Sequence, residues 1–154
     1  SQRKHPPTSF LELSHARRDE QRLDKEEIHR KGICPICQEH LVKFHNQPIL
    51  QENVGWLLTN TQWPYGNTAV HLLAIAKRHV EDLTELTDDD WHDLGVLLAW
   101  AQENYGIGGG GVVLRFGRIA LNGGTVQHLH AQILAAKITD KNDPNYKPVR
   151  FRVG

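Results

Sequence analysis

The sequence predicts an α+β fold with a mostly antiparallel sheet and one main covering helix. Two observations lead to this prediction. Asp88 to Tyr105 repeats apolar residues at helical spacing, and Val126 to Ala136 alternates polar and apolar residues as a half-buried strand does. Further strand-like segments lie on both sides of the helix, and strands, a helix and strands again is an order typical of α+β domains.

An N-terminal helix is also predicted. Thr8 to Arg30 is rich in charged residues and good helix formers, and Gly32 is a plausible stop. We therefore expect residues 1–32 to form a helical extension, on the surface or against a partner, and residues 33–154 to form the main domain.

The segments before the long helix read mainly as strands. The candidates are Leu41 to His45, Ile49-Leu50, Val54 to Thr59 and Thr68 to Ala76. A turn-rich connection, Asn60 to Asn67, separates the last two.

The long helix has clear start and stop signals. Thr87 can cap it together with Asp90, and the acidic run 88–90 suits the positive end of the helix dipole. Gly106 and the run Gly108 to Gly111 end it. Four consecutive glycines without the lysine of a P-loop indicate a flexible connection rather than a phosphate cradle.

Strand signals resume after the glycines. The chain then predicts a strand at Val112 to Phe116, a loop at Gly117 to Gly124, the alternating strand Val126 to Ala136 and an edge strand at Val149 to Val153.

The alternating strand carries most of the candidate chemistry. His128, His130 and Gln132 share one face, because successive side chains of a strand point to opposite sides. Such a strand holds an imidazole with little positional slack, which an in-line attack requires. The alternative is a half-exposed strand that carries two histidines by chance.

Composition argues against several partners. Lys+Arg and Asp+Glu both number 18, so we expect no bulk attraction to nucleic acid or to an anionic membrane. Apolar runs are too short for a transmembrane helix, and Ser1 to His5 lacks the apolar segment of a signal peptide. The expected location is the cytoplasm.

The only two cysteines, Cys34 and Cys37, flank a Pro-Ile turn that directs both sulfurs to one point. Two thiolates and two imidazoles satisfy a tetrahedral zinc ion, but ten histidines leave the other two ligands open. A redox dithiol is an alternative, although the usual βαβ setting is missing. Two uncoupled buried thiols are another.

The strand chemistry is nucleophilic. A neutral imidazole can attack phosphorus when its other nitrogen is held by a hydrogen bond. Gln132, Thr125 and the backbone N–H groups of Gly123 and Gly124 are placed to stabilise charge on the phosphoryl oxygens.

Three segments together resemble the histidine triad (HIT) superfamily. His128-Leu-His130-Ala-Gln132-Ile-Leu, after Gly124-Thr125-Val126, resembles the His-x-His-x-His/Gln signature. His71 to Val80, followed by Leu83 to Thr87, resembles a second superfamily segment, with Ala76 where proline is common. Cys34-Pro-Ile-Cys37 matches a zinc-binding subset of the superfamily.

The resemblance implies a HIT-like fold and a role for each matching residue. His130 would be the nucleophile that carries a nucleotidyl group, Thr125 would contact phosphate, and Asn60 would contact ribose. The implied ligands of a structural zinc ion are Cys34, Cys37, His79 and His128. His79 and His128 can meet only if their strands pair or adjoin.

Gln132 replaces the third histidine, as in the uridylyltransferases and dinucleoside tetraphosphate phosphorylases that the motif also resembles. An amide cannot move a proton between the site and a leaving group or water, so nucleotidyl transfer to an acceptor becomes more favourable relative to hydrolysis. The chain resembles one half of a galactose-1-phosphate uridylyltransferase, which implies a homodimer.

The prediction is therefore a nucleotide hydrolase or nucleotidyltransferase that acts on a nucleotide or nucleotide conjugate. The alternative is a non-enzymatic, zinc-stabilised nucleotide-binding domain. A DNA-repair adenylate hydrolase would need a basic face that the neutral composition does not supply.

Overall fold

The computed structural model describes residues 33–154. The N-terminal helix predicted at Thr8 to Arg30 lies outside the described residues. Five antiparallel strands form one sheet in the order β1-β2-β3-β5-β4. The strands are β1 (Ile49–Glu52), β2 (Trp56–Asn60), β3 (Thr68–Ala76), β4 (Gly111–Leu114) and β5 (His130–Ala136). The helices are α1 (Gln38–Phe44), α2 (Asp88–Asn104) and α3 (Ile119–Asn122), and a 3-10 turn spans Leu83–Glu85. The α+β prediction is confirmed.

The long helix α2 covers one face of the sheet. Its predicted capping box is present, with the Thr87 hydroxyl accepting from the Asp90 N–H and the Asp90 carboxylate accepting from the Thr87 N–H. The Trp56 indole N–H donates to the Asp90 carbonyl at 2.8 Å, which joins the start of the helix to β2. The helix covers a continuous apolar core. The buried residues of this core are Trp56, Leu58, Leu72, Ala74, Ala76, Val80, Leu94, Leu97, Ala101, Leu129, Ala131 and Ile133.

The opposite face of the sheet, which we call the histidine face, carries the polar residues. The pairing of β3 with β5 places Leu73 opposite Gln132 and Ile75 opposite His130, so these four residues share a face. Helix α1 packs at one end of this face, where Leu41 meets Leu57 and Ile75. One face of the sheet is therefore a core, and the other carries polar side chains, of which Gln132 is buried and His130 half-buried.

Two strand predictions are wrong. Leu41 to Phe44 belongs to α1, and His45 is the residue at its C-terminal end; the helix begins after Cys37 and buries a single residue, Leu41, against the sheet. That contact, rather than local strand preference, decides the conformation. Val149 to Val153 forms no strand, because Phe151 packs against Tyr65 and Arg115 instead of extending a sheet edge.

One predicted strand begins later than expected. The strand predicted from Val126 begins only at His130, and His128 lies in a bend before it. The loop predicted from Gly117 to Gly124 contains the single-turn helix α3, which Gly123 ends in the left-handed region at φ 76°.

Only one glycine of the run is closely packed, since a Cβ on Gly108, Gly109 or Gly111 would have nothing within 4 Å. A Cβ on Gly110 would lie 2.4 Å from the Leu134 carbonyl oxygen, so only glycine lets this backbone approach β5. Gly111 already belongs to β4. Within residues 33–154, no helix is long and apolar enough to cross a membrane.

Candidate functional site

The chain segments that follow β3 and precede β5 run side by side. The Leu129 N–H donates to the Val80 carbonyl at 2.8 Å, and the Ala76 N–H donates to the Leu129 carbonyl at 3.1 Å. These bonds continue the β3–β5 pairing past the ends of both strands. They bring His79 and His128 together, with their ring centroids 4.9 Å apart.

Two cysteines and these two histidines form one cluster. The ligand atoms of Cys34, Cys37, His79 and His128 all lie within 4.8 Å of one another. Nδ1 of His79 lies 3.1 Å from Nδ1 of His128 and 3.2 Å from the Cys37 sulfur. Nδ1 of His128 lies 3.5 Å from each sulfur. A tetrahedral zinc site with ordinary bond lengths has edges of about 3.3 to 3.8 Å, so the cluster has dimensions suited to such an ion.

The tautomer of His128 also suits a metal ligand. Its Nε2–H donates to the Ala76 carbonyl at 2.7 Å, so Nδ1 carries the lone pair that faces the cluster. Burial, and then the neighbouring His79 and His130, lowers the pKa of His128 to about 4, so the ring is neutral at pH 7. A neutral imidazole is the form that binds metals.

The pKa values of the two thiols also favour a bound cation. Burial, and then the negative charge of Cys37, raises the pKa of Cys34 to about 12, and burial also raises the pKa of Cys37. Two thiolates are therefore costly here unless a cation neutralises them. The donor set fits a divalent metal ion.

Two residues that the sequence analysis did not single out support the cluster. A Glu81 carboxylate oxygen lies 3.7 Å from Nε2 of His79, on the side of the ring away from the cluster. The Gln127 amide nitrogen donates to both oxygens of Glu81, at 3.1 and 2.9 Å. Both residues lie within two positions of a predicted ligand in the sequence, and this proximity is the signal that could have identified them.

His130 begins β5 and is half-buried on the histidine face. Its Nδ1–H donates to the His128 carbonyl at 2.8 Å. In the neutral ring this bond leaves the lone pair on Nε2, as a nucleophilic imidazole requires. His130 is thus oriented by the same bend that carries His128.

Gln132 is paired with a histidine to which the sequence analysis gave no role. The Tyr65 N–H donates to Nδ1 of His71 at 3.1 Å, so the His71 proton sits on Nε2 and is donated to the Gln132 carbonyl oxygen at 2.7 Å. The Tyr65 ring lies against His71, with centroids 4.5 Å apart. His71 and Gln132 lie on different strands, so their hydrogen bond could not be predicted without knowing that β3 and β5 are paired.

The predicted phosphate loop is internally bonded. The Gly123 N–H donates to the Ile119 carbonyl, and the Gly124 N–H donates to the Asn122 side chain at 2.8 Å. Thr125 is half-buried in the bend that follows, and its hydroxyl makes no hydrogen bond within residues 33–154.

Asn60 is not brought together with the other predicted residues. It pairs with Leu72, which faces α2, so its register position lies on the face opposite Gln132. Thr59 occupies the histidine face at this point, opposite Leu73. A ribose contact by Asn60 stays a prediction that this arrangement does not favour.

No protein-family model and no curated protein matches the sequence, whereas solved structures do. A histidine triad protein from Clostridium difficile is 25% identical over 74% of this chain and 93% of its own, with a TM-score of 0.51. A HIT family hydrolase from Clostridium thermocellum is 24% identical over 71% and 93%, with a TM-score of 0.53. A Zn-bound histidine triad family protein from Mycobacterium smegmatis is 21% identical over 73% and 84%, with a TM-score of 0.50.

These likenesses identify the architecture. The five-stranded antiparallel sheet with its covering helix is the fold of histidine triad proteins. The residues on its histidine face, rather than the fold, must carry any argument about chemistry.

Proposed function

We propose that the protein is a nucleotide hydrolase or nucleotidyltransferase that acts through a covalent nucleotidyl-histidine intermediate on His130. The observation that carries this proposal is the hydrogen bond from Nδ1–H of His130 to the His128 carbonyl, which orients the ring and keeps the lone pair on Nε2. Nε2 attacks the α-phosphorus of a nucleoside phosphate derivative. The P–N bond forms as the bond to the leaving group breaks, and the leaving group departs with the electron pair.

In the second step, water or an acceptor oxygen attacks phosphorus, and the P–N bond breaks with its electron pair returning to Nε2 of His130. When water attacks, it must also release a proton to the solvent. Gln132 accepts from Nε2–H of His71, so the amide is oriented, but it cannot carry a proton to or from the reacting atoms. Transfer to an acceptor is therefore favoured relative to hydrolysis. The resemblance of the motif to the uridylyltransferases, which also have glutamine at this position, supports this part of the proposal.

We further propose that Cys34, Cys37, His79 and His128 hold a structural zinc ion. The ion would supply the charge that stabilises the buried thiolate of Cys34 and the half-buried thiolate of Cys37. It would also hold the bend at His128, whose carbonyl orients His130. Loss of metal should then disturb the nucleophile without contact between the metal and the substrate.

A homodimer is part of the proposal. β4 is an edge strand of the described sheet, and apolar side chains are exposed on and near it, with Val112 and Phe116 each 53% exposed. A second copy would cover them. Light scattering across a concentration series should give twice the chain mass, and a monomer at all concentrations would contradict this.

The test of the catalytic proposal is native-pH intact-mass spectrometry with UDP-glucose, ADP-glucose, diadenosine tetraphosphate and an adenosine phosphoramidate in turn. We expect a nucleotidyl adduct that is absent from His130→Ala and present in His92→Ala, which removes an exposed imidazole from α2. Acid must be avoided, because phosphohistidine is labile. Tight nucleotide binding with no adduct would contradict the catalytic proposal and favour the alternative, a zinc-stabilised nucleotide-binding domain without enzymatic activity.

A further inference from the structure

Arg115 follows directly after β4. The β4–β5 pairing ends with Val113 opposite Gln132 and Leu114 opposite Ala131, and if this register continues by one residue, Arg115 comes level with His130. Positions directly opposite each other share a face, with Cβ atoms about 4.5 to 5.5 Å apart. Arg115 therefore belongs to the histidine face.

The Arg115 side chain is held in place by the C-terminal segment. Its guanidinium carbon lies 3.8 Å from the centroid of the Phe151 ring. Nε and Nη2 both donate to the Arg152 carbonyl, at 3.1 and 2.6 Å. Such a fork is oriented before any ligand arrives, so binding would cost little side-chain entropy.

The same side chain reaches the predicted phosphate loop. A Cβ on Gly124 would lie 3.3 Å from Cδ of Arg115, so the glycine leaves room for the arginine to pass. Thr125, with its unbonded hydroxyl, is the next residue. The arginine side chain therefore passes directly beside Gly124 of the predicted phosphate loop.

The charge of Arg115 is not balanced by the described part of the chain. Lys77 pairs with Glu52 and Arg78 with Asp90, whereas Arg115 forms no salt bridge within residues 33–154. Its two hydrogen bonds use two of five N–H groups, and the other three have no partner among those residues. A half-buried, oriented and unpaired guanidinium is a group suited to a phosphate.

We propose that Arg115 binds the phosphate that departs with the leaving group, so that the substrates are nucleoside diphosphate or polyphosphate derivatives rather than simple phosphoramidates. This inference rests on the proposed function. Gln132 supports it, because an amide cannot protonate a departing amine, whereas a phosphate leaves as a stable anion without a proton.

The test compares the binding of nucleoside monophosphates and diphosphates by calorimetry, in both the adenosine and the uridine series. For the wild-type protein we expect the diphosphate to bind about tenfold more tightly, because hydrogen bonds to charged groups are the strong ones. In Arg115→Gln the diphosphate should lose this advantage, while monophosphate affinity stays within about twofold.

Two further variants separate charge from support of the C-terminal segment. Arg118→Gln removes an equal charge from an exposed position three residues away and should leave the tenfold preference intact. Arg115→Lys keeps the charge but loses the planar fork, and it should retain part of the preference. Zinc content and Tm establish that each variant is folded, and Arg115→Lys carries the test if Arg115→Gln is not.

The outcomes distinguish this inference from the proposed function. An unchanged preference in Arg115→Gln, or equal losses for monophosphate and diphosphate, would overturn the role of Arg115 while nucleotide binding and the His130 adduct still stand. Absence of any nucleotide binding by the wild-type protein would overturn both.

Discussion

His128 and His130 are two residues apart, yet they present opposite ring nitrogens. His128 uses its Nε2–H to bind the Ala76 carbonyl and turns Nδ1 into the cluster. His130 uses its Nδ1–H to bind the His128 carbonyl, which leaves the lone pair on Nε2. One ring is therefore suited to hold a metal ion and the other to attack a phosphorus atom. The backbone carbonyl that each ring meets decides which.

Their surroundings differ in the same way. His128 is 3% exposed and lies in a bend beside Cys34, Cys37 and His79, whereas His130 is half-buried at the start of a strand. A ligand of a structural metal gains from exclusion of water, while a nucleophile must be reached by its substrate. The single carbonyl of His128 links the two sites.

Replacing His130 with alanine should have the largest effect, and it should affect the reaction without affecting the metal cluster. We expect nucleotidyl turnover to fall by on the order of 10⁴-fold or more, because the attacking nitrogen is lost. Zinc content and Tm should stay unchanged, because no cluster atom is removed. Steady-state kinetics and elemental analysis measure both, and unchanged turnover would refute the mechanism.

Replacing Cys34 with serine, or His128 with alanine, should affect the other site first. Bound zinc should be lost, and Tm should fall by about 10 °C or more if the metal contributes ~3 kcal/mol or more. Activity should fall as a consequence, through the bend that orients His130. The exposed variant His92→Ala is the matched control, and a full complement of zinc in either variant would exclude that residue as a ligand.

Replacing Gln132 with histidine should change the reaction and not the metal. An imidazole can move a proton where the amide cannot, so the ratio of hydrolysis to transfer should rise by about tenfold or more. Product analysis with water and a competing acceptor measures the ratio. If the ratio does not move, the amide is not what favours transfer.

A third imidazole, outside both sites, should give the smallest effect. Burial lowers the pKa of His45, whose Nε2–H donates to the Thr59 hydroxyl at 2.7 Å. Below pH ~6.5, the ordinary value for histidine, the unfolded chain therefore binds more protons at this residue, and the free energy of unfolding falls with the pH.

The variant His45→Gln keeps a donor for Thr59 but does not titrate. Denaturant unfolding at pH 7.5 and 5.5 should show a smaller loss of stability in this variant than in the wild-type protein. Equal losses would mean that His45 does not contribute to the acid sensitivity, which would then lie with other groups such as His128.

Sequence patterns predicted most of the fold because they are local. β3 begins and ends where predicted, and α2 begins at its predicted cap, since alternation and capping chemistry are written in adjacent residues. The pattern failed at Leu41 to His45 and at Val149 to Val153. There a few side chains, Leu41 and Phe151, obtain their burial from distant parts of the chain.

The candidate site was likewise predictable only in part. The sequence by itself determined which residue types are present, and the turn Cys34-Pro-Ile-Cys37 with the run His128 to Gln132 indicated their chemistry. Spacing alone left the two histidines open, and the family resemblance implied His79 and His128; the β3–β5 pairing brings these two together from segments about fifty residues apart. Only the tertiary structure decided the pairing of His71 with Gln132 and the packing of Arg115 against Phe151. Ring tautomers and the alignment of side chains across strands depend on which backbone groups become neighbours, and no local pattern specifies that.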